Sequence, residues 1–143
     1  MFKKFLIFIF PVFLLLTAVL CFSIPNSAYA KDNKTVTVYY FYGKPRCDTC
    51  KKIEKYTKEA VEENFSKEIK SGKISFQAVD SDKPENKHFL NDYGLYTKAV
   101  IVSEKINGKE VKYKNLDKIW KLTNDEKQFK NYIKKEVKSS LEG

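Results

Sequence analysis

The chain has 143 residues, with 27 lysines and arginines against 18 aspartates and glutamates and a formal net charge of +9. Lysines alternate with glutamates along two predicted helices, which is typical of a solvated face and does not indicate nucleic-acid binding. The three cysteines include one close pair, Cys47 and Cys50, which does not make the disulfide scaffold of a small secreted miniprotein.

The N-terminus has the three-part form of a secretory signal peptide. Two lysines precede a nearly unbroken apolar run over residues 5–22, and Ala28-Tyr29-Ala30 ends the segment in a small-x-small pattern. We therefore expect residues 1–30 to be a signal peptide cleaved after Ala30, and residues 31–143 to form one exported domain. An uncleaved signal would instead leave a membrane anchor, the only membrane association expected.

The first half of the exported part alternates strand and helix patterns. Residues 35–42 are rich in β-branched and aromatic side chains and predict a strand. From residue 48 to about residue 70, apolar residues spaced by three and four predict one amphipathic helix that ends at Ser71-Gly72. Residues 74–79 alternate as a second strand, and a short helix follows to about Tyr93.

The second half predicts a hairpin and a final helix. Residues 99–103 read as a third strand, and Asn107-Gly108 is a strong hairpin signal before a return strand over residues 110–113. One or two helical turns precede a last amphipathic helix, whose apolar stripe is Phe129, Tyr132, Ile133, Val137 and Leu141. The order β-α-β-α-β-β-α predicts an α/β fold with a mixed sheet, in which central parallel strands are joined by an antiparallel hairpin and helices cover both faces.

Cys47 and Cys50 are separated by two residues and lie where the first strand has ended and the long helix begins. Cysteines so spaced lie one above the other on the first helical turn, so their sulfurs can form a disulfide or share a soft metal. Unpaired N–H groups and the positive end of the helix dipole favour a thiolate at Cys47. Arg46 and Lys51 should favour it further and Asp48 oppose it, so we expect a Cys47 pKa below the ordinary value of about 8.5.

This order of elements, with Cys-x-x-Cys at the end of the first strand, resembles the thioredoxin-like fold over nearly all of residues 31–143. Ala-Val-Asp-Ser-Asp at residues 78–82 is similar to the thioredoxin strand that ends in an acidic turn. Residues 91–97, which include Tyr93-Gly94-Leu95, resemble the approach to that family's substrate-binding loop.

Three shorter segments are most similar to a group of exported thioredoxin-like proteins labelled subunits of an ArsF-type nitrophenyl compound nitroreductase. They are Arg-Cys-x-Thr-Cys at residues 46–50, Pro-Glu-Asn-Lys-His-Phe at 84–89 and Lys-Asn-Leu-Asp-Lys-Ile-Trp at 114–120. The sequence contains no flavin- or nucleotide-binding motif. We therefore expect no cofactor and no nitro reduction by this chain alone.

The resemblance implies that Cys47 attacks, that Cys50 resolves, and that Thr97 and Lys98 belong to the substrate loop. The sequence departs from the family in three places. The family's cis-proline is missing near Lys98, Arg46 replaces the usual tryptophan, and Phe41 replaces a buried aspartate. The substrate of thioredoxin therefore does not transfer to this chain.

These patterns predict an exported thiol–disulfide oxidoreductase that acts on protein thiols and disulfides. A membrane thiol electron carrier is a candidate source of its electrons, and nucleic acid is not an expected partner. The alternative is that Cys47 and Cys50 bind Cu(I) or arsenite, because two thiolates suit a soft metal or metalloid. A third interpretation is that the pair forms an inert, purely structural disulfide. His88, the single histidine, is not assigned to a metal.

Overall fold

The computed structural model describes residues 33–143, and the expected signal peptide lies outside this part of the chain. Within it, no helix is long and apolar enough to cross a membrane. The elements in chain order are β1 (Lys34–Tyr42), α1 (Asp48–Asn64), α2 (Ser66–Lys70), β2 (Ile74–Asp80), a 3-10 turn (Pro84–Asn86), α3 (His88–Asp92), β3 (Ala99–Ile106), β4 (Lys109–Asn115), α4 (Ile119–Leu122) and α5 (Glu126–Glu142).

The four strands form one mixed sheet in the order β2-β1-β3-β4. Strands β1 and β2 are parallel and are joined through α1, whereas β3 is antiparallel to both β1 and β4. The predicted α/β fold with a mixed sheet is confirmed. The parallel pair contains only one central strand, because β2 lies at an edge.

The two faces of the sheet carry separate cores, since successive strand residues point to opposite sides. On one face Val36, Val38 and Tyr40 pack against α1 and α5. On the other face Tyr39 and Phe41 form an aromatic cluster with residues in and after α3. Helices therefore cover both faces, as predicted.

The helix predicted from residue 48 to about residue 70 is interrupted at Phe65. The backbone of Phe65 leaves the helical region, with φ −130° and ψ 31°, and the Phe65 side chain packs in the core. The Asn64 side chain donates to the Ala60 carbonyl at 2.8 Å, and such a side-chain bond competes with continuation of the helix. The expected single helix is therefore two helices.

The hairpin is confirmed, with Asn107 and Gly108 both at positive φ. Strand β3 is longer than predicted because its charged end is paired. The Glu104 carboxylate lies 3.4 Å from the Lys34 ammonium on β1 and 3.8 Å from that of Lys112 on β4. These cross-strand ion pairs keep a polar segment inside the sheet.

Candidate functional site

Cys47 and Cys50 lie just beyond the carboxyl end of the central strand β1 and are joined by a disulfide bond. Cys47 is the N-cap of α1, where its sulfur accepts the backbone N–H of Cys50 at 3.2 Å. Cys47 is exposed, while only 1% of Cys50 is accessible. Cys47 is therefore the solvent-facing member of the pair, and Cys50 lies one turn inside.

The loop between β1 and α1 is held by the segment that follows β2. The Lys44 N–H donates to the Asp82 carboxylate at 2.6 Å. The Tyr42 carbonyl accepts both the backbone N–H of Ser81, at 2.8 Å, and its hydroxyl, at 2.7 Å. A Cβ on Gly43 would lie 2.9 Å from Asp82 Oδ1, so glycine allows this close approach. These contacts position the approach to Cys47 from a segment far away in sequence.

Tyr40 on β1 contacts the backbone of the buried Cys50. Its hydroxyl, inside the main core, donates to the Cys50 carbonyl at 2.8 Å. Burial raises the pKa of Tyr40, so the hydroxyl stays protonated and able to donate. The first turn of α1 is thereby tied to the central strand. The register of Tyr40 on β1, which points it into the core with Val36 and Val38, was the sequence signal that could have identified it.

The charged residues expected to act on Cys47 all have other partners. The Arg46 guanidinium carbon lies 4.2 Å from the centroid of the Tyr42 ring, and its terminal nitrogen pairs with Glu54 on α1. The Asp48 carboxylate lies 3.3 Å from the Lys51 ammonium. Their effect on the pKa of Cys47 stays a prediction.

The expected substrate loop reaches the same end of the sheet. Phe41 near the end of β1 is opposite Ala99, the first residue of β3, so Thr97 and Lys98 emerge beside the loop that leads to Cys47. Thr97 is exposed and Lys98 half-buried. Of the peptide bonds within residues 33–143, only that between Lys44 and Pro45 is cis.

A cavity of about 280 Å³ opens beside this loop. Two aromatic side chains on its rim face solvent, Tyr96 with 100% and Trp120 with 38% of its surface exposed. Exposed aromatics of this size are the side chains that protein interfaces favour. The other residues that line the cavity are Gly94, Leu95, Thr97, Lys98, Ala99, Asn115 and Asp117.

Tyr93 anchors the start of this loop to the hairpin. Its hydroxyl donates to Glu110 Oε2 at 2.7 Å, and the Ser103 hydroxyl donates to the same oxygen. The Tyr93 ring packs edge-on against Tyr113 and parallel to Phe89. Burial, followed by the Glu110 carboxylate, raises the pKa of Tyr93. The loop therefore leaves from a buried and hydrogen-bonded residue.

Residues 33–143 contain no group of three or more histidine, cysteine, aspartate or glutamate side chains arranged to hold a metal ion. His88 bonds to Asp92 at 2.7 Å on the exposed side of α3. In the soft-metal alternative, the reduced Cys47 and Cys50 would therefore be the ligands that this part of the chain supplies.

Comparison with known proteins finds only distant structural similarity. No protein-family model and no curated protein matches the chain. Matching solved structures include a malarial protein, 20% identical with a TM-score of 0.38 over 57% of this chain and 80% of the other. Another is Fasciola hepatica thioredoxin, 18% identical with a TM-score of 0.37 over 66% of this chain and 81% of the other.

The mixed sheet, the helices on both faces and the Cys-x-x-Cys after the first strand are the arrangement that the sequence resemblance to the thioredoxin-like fold predicts. The Cys47–Cys50 disulfide at the start of α1 is a group that can exchange with thiols. The nitroreductase label attached to the sequence resemblance receives no support from these comparisons.

Proposed function

We propose that this protein exchanges disulfides with partner proteins outside the cytoplasm and that Cys47 is its attacking sulfur. One observation carries the proposal: the exposed Cys47 caps α1 and is bonded to the buried Cys50. The N-terminal signal pattern supports the extracytoplasmic location, and a membrane thiol carrier is the proposed source of electrons.

The difference in exposure supports Cys47 as the sulfur that a partner attacks. Because Cys50 is buried, an incoming partner thiolate attacks Sγ of Cys47, the Cys47–Cys50 bond breaks, and Cys50 leaves as a thiolate that takes up a proton. A second partner thiolate then attacks the partner sulfur of the mixed disulfide and expels Cys47 as a thiolate. The partner loses two electrons and this protein gains them. The same steps in reverse reduce a partner disulfide.

The surroundings of Cys47 suit the thiolate that both directions require. The Cys50 N–H at 3.2 Å is a donor aimed at the sulfur, and the N-terminal end of a 17-residue helix adds a positive potential. These contributions come from the backbone, so they do not depend on the charged side chains nearby.

The surface around the loop before β3 supports a protein partner. Tyr96 and Trp120 offer exposed aromatic area next to the loop that contains Thr97 and Lys98. By the family resemblance, that loop would receive the backbone of the partner. We therefore assign partner binding to this loop and cavity, and bond exchange to Cys47.

The test is dithiol-driven reduction of insulin by the full chain, with Cys21→Ser in every variant so that only the pair reacts. Cys47→Ser should abolish turnover, because the accessible sulfur is lost. Cys50→Ser should accumulate mixed disulfides, because nothing then expels the partner. Full turnover by Cys47→Ser would refute the assignment of the nucleophile.

The soft-metal alternative is separated by titrating Cu(I) and arsenite into the reduced protein. Tight binding together with negligible insulin turnover by the unsubstituted pair would replace the oxidoreductase proposal. Weak binding of both ligands together with insulin turnover would support the oxidoreductase proposal.

A further inference from the structure

Glu54 is the carboxylate on the helix face that carries the two cysteines. It stands seven residues after Cys47 and four after Cys50, a spacing that keeps all three side chains on one side of α1. Arg46, which immediately precedes Cys47, forms an ion pair with Glu54. This ion pair therefore spans the helix face occupied by the disulfide, from the residue before it to the turn after it.

The Arg46 guanidinium contacts two residues, Tyr42 and Glu54, and its Nε–H donor makes no hydrogen bond within the described residues. The Tyr42 ring stacks under its guanidinium and Glu54 takes a terminal nitrogen, but Nε is buried and has no hydrogen-bond partner among the described residues. Buried donors are rarely left unpaired, and an unpaired one at a reactive site calls for an explanation. A guanidinium offers five N–H donors, so it can bind a second anion while it stays on Tyr42.

We propose that Glu54 is a positioning residue that competes with the Cys47 thiolate for Arg46. When the pair is oxidised, Cys47 carries no charge and Glu54 holds the guanidinium. When the pair is reduced, the Cys47 thiolate is a second anion beside Arg46, and Glu54 limits how much of the Arg46 charge it receives. This inference rests on the proposed function only in taking Cys47 as the cysteine that ionises.

Other ionisable groups near the pair are unchanged in a Glu54 variant, so a difference measurement cancels their contributions. On the adjoining loops and β1 they are Lys44, Asp82, Tyr40 and Tyr42. On α1 they are Asp48 and Lys51, together with Lys55, Lys58 and Glu59, which line the same cavity as Arg46 and Glu54.

Neutralising Glu54 should release Arg46 toward the thiolate. An opposite charge within about 4–6 Å lowers the pKa of an acidic group by about 1–3 units. We expect the low end, about one unit, because solvent screens a side chain that is 32% exposed. A more stable thiolate favours the reduced pair about tenfold at a pH above the pKa, which corresponds to about 30 mV in reduction potential.

The experiment is a double-substitution cycle in the full chain with Cys21→Ser, using Glu54→Gln, Arg46→Gln and both together. The pKa of Cys47 is read from the pH dependence of its alkylation by iodoacetamide, and the potential from equilibrium with glutathione. Glu62→Gln is the matched control, since it removes the same charge from α1 two turns farther on, where Glu62 pairs with Lys58.

Glu54→Gln should lower the Cys47 pKa by about one unit and raise the potential by about 30 mV, whereas Glu62→Gln should change neither. With Gln at position 46, the Glu54 substitution should lose most of its effect. An equal effect with and without Arg46 would mean that Glu54 acts through its own charge alone and would overturn the proposal. So would an unchanged pKa in a Glu54→Gln protein that folds normally.

These readouts need only alkylation by iodoacetamide and equilibrium with glutathione, and no protein partner. Failure of insulin turnover would therefore refute the proposed function without touching the inference about Glu54, and an unresponsive Cys47 pKa would do the reverse.

Discussion

The hydroxyl of Tyr93 offers a test of how the substrate loop is held. Tyr93→Phe removes the donor of the 2.7 Å bond to Glu110 and leaves the ring, which can keep its contacts with Phe89 and Tyr113. Because only 8% of Tyr93 is exposed, water cannot easily replace the lost bond. The variant should therefore be less stable than the wild type, although the backbone of the loop is unchanged.

The magnitude follows from the charge of the acceptor. Hydrogen bonds to charged groups contribute about 1.5–3 kcal/mol, and the lower end applies because Glu110 keeps the Ser103 hydroxyl. Burial and Glu110 raise the pKa of Tyr93 above its ordinary value of 10.0. A raised folded-state pKa gives stability that is complete below pH 10 and is lost as the pH rises above it, at about 1.4 kcal/mol per pH unit. The difference between wild type and Tyr93→Phe should therefore be about 1.5 kcal/mol at pH 7 and should shrink above pH 10.

The assay is urea unfolding of both proteins from neutral pH to above pH 10. Tyr96→Phe is the matched control, because it removes the same hydroxyl from a fully exposed side chain and should have almost no effect. Lysine titration affects all three proteins alike and cancels in the differences. A stability difference that stays constant across this range, or an equal loss in Tyr96→Phe, would refute the account of Tyr93.

Two more predictions concern the partner surface and the support of α1. Tyr96→Ala combined with Trp120→Ala should lower kcat/KM for a protein disulfide about tenfold, because exposed aromatic contacts of this kind contribute about 1–2 kcal/mol. Reaction with glutathione disulfide should change much less. Val111→Ala on β4 is a control at an exposed apolar position and should affect neither substrate. An equal loss with both substrates would exclude partner docking at Tyr96 and Trp120. Ile53→Ala, at a fully buried position of α1, should lower the free energy of unfolding by about 2–5 kcal/mol in urea. A loss below about 1 kcal/mol would contradict the packing of α1 on the sheet.

Local patterns were sufficient for the main elements of the fold. The β-branched run became β1, the paired cysteines opened α1, and Asn107-Gly108 formed the hairpin turn. Each of these signals acts within a few residues, through side-chain sterics, helix capping or backbone conformation. The break at Phe65 escaped the same reasoning because the apolar spacing continues through it, while the backbone of Phe65 leaves the helical conformation.

The candidate site was predicted in part. The place of the two cysteines on the first turn of α1 followed from their spacing and from the helix start. Glu54 could have been found by extending the same helix face two turns beyond Cys47, a step that the sequence analysis did not take. The prediction that Arg46 lowers the pKa of Cys47 did not include Glu54, whose carboxylate pairs with the same guanidinium.

Residues close together in the chain were enough to determine a strand, a capped helix and two sulfurs on its first turn, since short-range sterics and hydrogen bonding decide those features. Tertiary structure alone decided what surrounds the sulfurs. Tyr40 meets the Cys50 carbonyl and Asp82 meets the Lys44 N–H only because β1 packs beneath α1 and pairs with β2. Such contacts join residues that are 10 and 38 positions apart, and they form only when packing of the whole sheet outweighs the entropy of bringing those segments together.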